Sequence, residues 1–339
     1  MRQKNIILYM FIAFVLAGCS ATSDGKAKEG NVAENDPGTA DQADERDNEQ
    51  VGTEGKLTLE NDGVDEEDYE KVMEQLSGDA PERVVVASSA LTEMLHELDV
   101  EPVGVPKSTN PIPEDFQSIT EIGSPIEPNL ELITDLTPDL ILGSESLRGS
   151  LEESIEETDL EAAYLPTDSF DDLKLSFKAL GTYFDKTELM NEKMQSILDK
   201  ENELEKLAEG KDLPTVMLLM GTSESFMVMN DHSYLGSLIE RLGVENIAMS
   251  QLGAKETYSP LNMEEVVAAD PDMILVLTSG NHGATEDMFE ETVEKNNVWE
   301  SLSAYQNDNV HILDNDVFGV TSIKNVETAL TEIGDYFLK

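Results

Sequence analysis

Cysteine occurs once in 339 residues, at position 19, which excludes an intrachain disulfide framework and a cysteine-built metal site. Histidine occurs four times, as His96, His232, His282 and His311, with no spacing that suits hydrolytic zinc. Basic residues number 22 against 71 acidic ones, a net charge of −49 that repels a phosphate backbone and excludes nucleic acid as a partner. There is no Gly-x-Ser-x-Gly elbow and no Gly-x-x-x-x-Gly-Lys phosphate loop, so no motif of hydrolysis or nucleotide chemistry is present. The one long apolar run, Ile6–Val15, is too short to span a hydrocarbon core of roughly 30 Å.

That run does have a use. Arg2 and Lys4 precede it, and Leu16-Ala17-Gly18-Cys19 follows it, the order of a lipoprotein signal peptide over residues 1–18. Cys19 is then the lipidated first residue of the mature chain. The expectation is a protein anchored by acyl chains to the extracytoplasmic face of the cell membrane. Residues 19–80 are expected to form a disordered acidic tether, because high charge with few large apolar side chains cannot offset the entropy of ordering. An acidic metal-binding tail is the alternative for this stretch.

From Pro81 the pattern changes. Short apolar strands are predicted at Val84–Ala87, Val103–Val105, Leu140–Leu142, Ala163–Leu165, Val216–Met220, Met273–Leu277 and Val310–Leu313, separated by helical periodicity. Alternation of this kind specifies α/β architecture with parallel sheets. The chain also repeats itself. Pro128–Leu142 corresponds to Pro260–Leu275, each with an acidic residue opening a short helix, Pro-Asp after it and an apolar strand next. The segments ending Leu98-Asp99-Val100-Glu101-Pro102-Val103 and Leu242-Gly243-Val244-Glu245-Asn246-Ile247 correspond too.

Two similar αβ lobes follow, at 81–167 and 211–339. Between them, residues 168–210 read as two helices, over Phe170–Phe184 with Asp168 or Ser169 as cap, and over Thr187–Ala208. The second is about 33 Å long at 1.5 Å per residue, a length that suits a strut between lobes or an ordinary helical excursion.

Several runs carry a family resemblance: Arg83–Leu95, Val103-Gly104-Val105-Pro106, Ile122-Gly123-Ser124-Pro125, Leu219-Met220-Gly221, Ser233-Tyr234-Leu235-Gly236, Met288-Phe289-Glu290-Glu291, Asn297-Val298-Trp299 and Phe318-Gly319-Val320-Thr321. Their order and spacing resemble the cobalamin-, siderophore- and heme-binding lipoproteins of ABC importers, above all the heme receptors of Gram-positive iron-regulated surface systems. The resemblance covers Pro81–Lys339. It implies a periplasmic-binding-protein-like fold, no enzymatic activity, and a monomer that holds heme between its lobes and passes it to an ABC permease dimer. A ferric siderophore or cobalamin is the alternative ligand. The scarcity of arginine in the folded part, Arg83, Arg148 and Arg241, favours a ligand held through iron and apolar contact.

The resemblance further implies axial ligands from a methionine on the first lobe and a histidine on the second. The methionine position is occupied here by Ile126, which has no lone pair for iron. His282 follows the Met273–Leu277 strand, where cleft residues of open α/β sheets lie, and is the candidate iron ligand. His232 and Met229 are in reserve, while His96 is expected to be solvated and His311 to face out of the core. Met227, Met229, Phe226, Ile126, Phe318 and Val320 are candidate cleft walls. Ser88, Ser89, Thr92, Lys107 and Ser108 are candidate donors to the propionates. Glu131 and Glu264, equivalent in the two repeats, match the family's permease-docking glutamates; an alternative role is interaction with a helix dipole.

Overall fold

A computed structural model describes residues 62–108, 112–222, 225–278, 287–291, 293 and 297–338. The expected signal peptide, Cys19, the expected tether as far as residue 61, and His282 lie outside these residues.

The acidic stretch is folded from Asp62 onward, a correction to the tether expected through residue 80. Helix α1 (Glu66–Gln75) starts at an Asp65 cap that accepts from the Asp68 amide. Beneath its acidic surface Tyr69, Val72, Met73 and Leu76 recur at helical spacing and pack into the main core. Net charge concealed that stripe.

The first lobe is a parallel sheet of order β3-β2-β1-β4-β5. Its strands are β1 (Val84–Val86), β2 (Gly104–Val105), β3 (Thr120–Glu121), β4 (Leu140–Ser144) and β5 (Ala162–Leu165). Helices α2 (Ser89–Glu97), α3 (Leu130–Asp135) and α4 (Arg148–Ile155) connect them. Val85 pairs with both Gly104 and Ile141. All three residues of β1 are buried, as a strand covered on both faces must be. Gly104 is required at its position, since a Cβ there would come within 2.7 Å of the Leu136 side chain and 2.8 Å of Ile122.

Helix α5 (Phe170–Tyr183) opens on a capping box between Ser169 and Asp172, and α6 spans Thr187–Ala208. The strut bridges the lobes. Near its start Met190 packs so closely on α5 that a Cβ at Gly181 would lie 2.4 Å from it, with Leu98 of the first lobe beside it. Farther along, Lys193 and Ser196 both hold Glu327, at 2.9 and 2.7 Å.

The second lobe contains β6 (Val216–Gly221), β7 (Phe226–Met229), α7 (Tyr234–Glu240), α8 (Ile247–Ser250), β8 (Tyr258–Pro260), α9 (Met263–Ala269) and β9 (Met273–Thr278). It continues through α10 (Ser303–Gln306), β10 (Val310–Ile312), α11 (Asn315–Phe318) and α12 (Val326–Leu338). Its sheet has the order β10-β9-β6-β7-β8. β10, β9 and β6 run parallel, but β7 is antiparallel to both β6 and β8. β6 matches the strand predicted at Val216–Met220, but β7 was not legible as a strand, because Phe226-Met227-Val228-Met229 lacks alternation.

The repeat has a physical basis. Thr137 and Asp270 both end their helices with positive φ, 45° and 46°, immediately before proline. A following proline disfavours the right-handed helical region, so the chain must turn there. The aspartate after each proline then binds the residue that precedes the lobe's first strand. Asp139 accepts from the Arg83 amide at 2.8 Å, and Asp272 accepts from the Thr215 amide and hydroxyl at 3.0 and 2.8 Å.

Candidate functional site: the interlobe cleft

A cleft of about 530 Å³ opens between the lobes at the carboxyl ends of β1, β4, β5 and β9. The first lobe contributes Ser88, Ser89 and Ala90 at the start of α2, Pro125, Ser144 and Ser146 after β4, and Thr167 and Asp168 ahead of α5. The second contributes Met220, Met229, Tyr234, Leu235, Thr257, Tyr258, Leu277 and Phe318–Thr321. No lysine or arginine is among the described lining residues.

Most of the polar side is internally ordered. Ser88 caps α2, accepting from the Leu91 amide, while its carbonyl accepts from Thr92 Oγ1 at 2.7 Å. Ser144 Oγ hydrogen-bonds both Ser146 Oγ at 2.9 Å and Thr167 Oγ1 at 2.8 Å. The opposite wall is thioether and hydrocarbon. Pairing of Leu218 with Met229 and Met220 with Met227 puts these four residues on one face of the sheet, from which Met220 and Met229 reach the cleft. At the mouth, burial and then the Asp168 carboxylate push the Tyr258 phenol above its ordinary value.

Of the expected ligand contacts, Ser88, Ser89, Met229, Phe318 and Val320 do line the cleft. Others do not. Thr92 is fully buried within the first lobe. Lys107 is exposed and Ser108 half-buried, both away from the lining. Ile126, next to the lining residue Pro125, projects into solvent with 67% of its surface exposed. Phe226 points to the other sheet face, edge-on to Phe289 at 5.6 Å, because a one-residue step along a strand reverses direction. Met227 shares the cleft-facing side of the sheet without lining the cleft.

His232 is exposed outside the lining. His96 is half-buried, edge-on to Phe116 at 5.3 Å, rather than solvated. His311 is also half-buried, with its ring 5.1 Å from that of Tyr336. The lining residues Met220, Tyr234 and Tyr258 were not singled out by sequence reasoning. The first two stand inside family-like runs that gave no sign of which side chains turn inward. Among the described residues, no cluster of three or more His, Cys, Asp or Glu could hold a metal ion, and no helix is long and apolar enough to cross a membrane.

Glu131 and Glu264 are exposed second residues of α3 and α9, each following an asparagine cap, Asn129 or Asn262. The equivalence seen in sequence is therefore also one of position within the helix.

Two αβ lobes, a helical strut and a cleft equipped to bind define the class: a substrate-binding protein of an ABC importer, which captures a ligand without transforming it. The profile of the Periplasmic binding protein family matches residues 84–317, and the chain belongs to that family. The chain is 30% identical over 261 residues to the high-affinity heme uptake system protein IsdE of Staphylococcus aureus (strain MRSA252), covering 76% of this chain and 87% of that protein. The crystal structure of S. aureus IsdE complexed with heme is similar with a TM-score of 0.69 at 29% identity, over 76% of this chain and 99% of that one. An ABC-transporter substrate-binding protein from Listeria monocytogenes EGD-e also gives 0.69, at 32% identity over 75% and 98%. S. aureus SirA complexed with staphyloferrin B shares the fold, with a TM-score of 0.63 at 21% identity over 76% and 93%.

Proposed function

We propose that this protein binds heme in the interlobe cleft and delivers it to an ABC permease. The observation that carries this reading is the division of the cleft. Met220, Met229, Leu277, Phe318 and Val320 give one wall suited to a flat apolar macrocycle, and Ser88 and Ser89 at the start of α2 face it with hydroxyls. The 30% identity to a heme uptake protein supports the same ligand. A ferric tris-catecholate siderophore, a trianionic chelate, would call for cationic side chains that the described lining lacks.

Iron ligation on this account comes from His282 on the second lobe and a thioether of Met229, with His232 in reserve. The Met229 assignment moves the sulfur ligand away from the Ile126 position. Lys107 and Ser108, near the cleft in sequence, are proposed to meet the propionates only if the cleft closes over the ligand. Cys19 carries the lipid that keeps the protein at the extracytoplasmic face, and Glu131 and Glu264 orient the monomer on the permease dimer.

The test is an absorbance titration of the chain from Ser20 with hemin, run beside His282→Ala and Met229→Ala. A saturable one-to-one Soret band that shifts in both variants supports the reading. A wild-type spectrum that is the sum of free protein and free hemin overturns it.

A further inference from the structure

The cleft wall at Gly319, Val320 and Thr321 is built on irregular chain between α11 and α12, so its place depends on what holds it. The next residue, Ser322, is fully buried. Its hydroxyl accepts from the Asn325 amide at 3.1 Å and donates to Glu93 Oε2 at 2.5 Å. The Lys324 amide donates to the same carboxyl.

Glu93 belongs to the other lobe. It stands one turn beyond Ser89 on α2, so the two share a helix face. Ser89 and Ala90 line the cleft, and with Glu93, Ile112 and Pro113 they also line a narrow recess that Val320 and Thr321 close from the second lobe. Four residues thus border both spaces, and the Glu93–Ser322 bond lies directly behind the cleft wall. Elsewhere the second lobe is tied through the connecting helices: Glu327 to Lys193 and Ser196 of α6, and Ser237 Oγ to the Phe170 amide of α5 at 2.8 Å. Glu93 and Ser322 instead join the lobes directly. Burying a carboxyl against the opposite lobe is costly unless its hydrogen bonds are made, and opening the lobes would break them and carry the wall away from α2.

We propose that Glu93 is a positioning residue: through Ser322 it latches the Gly319–Thr321 wall to α2, holds the lobes at their binding separation and so sets how long a ligand stays. This goes beyond the choice of ligand, because Glu93 lies behind the lining and the latch serves any iron chelate the cleft admits.

The experiment uses the chain from Ser20, which keeps every described residue and lacks Cys19, the only cysteine. Spin labels on Asp135→Cys and Ala268→Cys, exposed positions on α3 and α9, report the separation of the lobes without ligand. Hemin transfer to excess apomyoglobin reports dissociation. Glu93→Leu removes the acceptor at similar bulk, whereas Glu93→Gln keeps an oxygen for Ser322. The expected result for Glu93→Leu is a longer, broader label distance and about tenfold faster hemin dissociation with unchanged association, the scale of one hydrogen bond. Glu93→Gln should match the unmodified chain in both readouts. A Glu93→Leu distance distribution identical to the unmodified one overturns the latch, as does an equal loss in Glu93→Gln, which would assign the effect to charge. Altered distances with unchanged dissociation overturn the positioning role. If the unmodified chain takes up no hemin, the heme reading falls, and the label distances alone decide the latch.

Discussion

Asparagine at position 62 would leave a lysine charge buried without its counter-ion. Lys178, on α5, is 0% exposed and Asp62 2% exposed, with Nζ 2.9 Å from Oδ2. The approach is off the direction of a well-aligned hydrogen bond, so the pairing is chiefly coulombic, supplemented by the Tyr69 ring 4.6 Å from the ammonium. The other Asp62 oxygen accepts from the Val64 amide at 3.0 Å, fixing the turn that leads into α1. Removing one member of a buried pair costs about 3–5 kcal/mol, because the remaining charge stays desolvated. For a chain of this size each kcal/mol lowers Tm by about 2–4 °C, so Asp62→Asn is expected to melt roughly 10 °C below wild type. Adding Lys178→Met should recover most of the loss, since an apolar side chain of similar length replaces the stranded charge. Urea denaturation of the chain from Ser20 provides the measurement, with exposed Glu70→Gln as a control on the same helix. An Asp62→Asn midpoint within experimental error of the control would refute the reasoning and return residues 62–80 to the tether.

Three further outcomes are expected. Glu131→Ala with Glu264→Ala should leave hemin affinity unchanged and abolish uptake in cells; undiminished uptake would remove both residues from docking. Glu93 sits above its ordinary carboxyl value mainly through burial, so its contribution to stability is complete below about pH 4.5 and is lost as pH rises through the folded value. Glu93→Gln should therefore flatten the fall in Tm between pH 4 and pH 8, and parallel curves for the two proteins would contradict this. Gly104→Ala should destabilise by at least about 1–3 kcal/mol through overpacking against Leu136 and Ile122, read as a lower urea midpoint; an unchanged midpoint would mean those side chains yield freely.

The architecture was legible where one physical signal dominated. Val84-Val85-Val86 and Met273–Leu277 read as buried strands because both sheet faces are covered, and Thr187–Ala208 read correctly because its apolar stripe persists over its full length. Pro138-Asp139 and Pro271-Asp272 exposed the repeat because the same turn is solved twice with the same residues. Failures arose where signals conflicted or ran short. Helix α1 was hidden by its acidic surface, the two-residue β3 is too brief for any period, and β7 lacks polar alternation. In the cleft, sequence identified the loops but not the direction of side chains. Phe226 and Met229 lie in one strand, yet only Met229 reaches the cleft. Tyr234 lies in a family-like run, but nothing in that run shows that its ring turns toward the cleft.

Thermal melts of the chain from Ser20 with hemin, and in parallel with ferric catecholate, hydroxamate and carboxylate siderophores at equal concentration, test the central claim most directly. A ligand at a hundred times its Kd stabilises by about 2.7 kcal/mol, so hemin is expected to raise Tm by roughly 5–10 °C while the siderophores leave it unchanged. A rise with one of the siderophores and none with hemin would contradict the account.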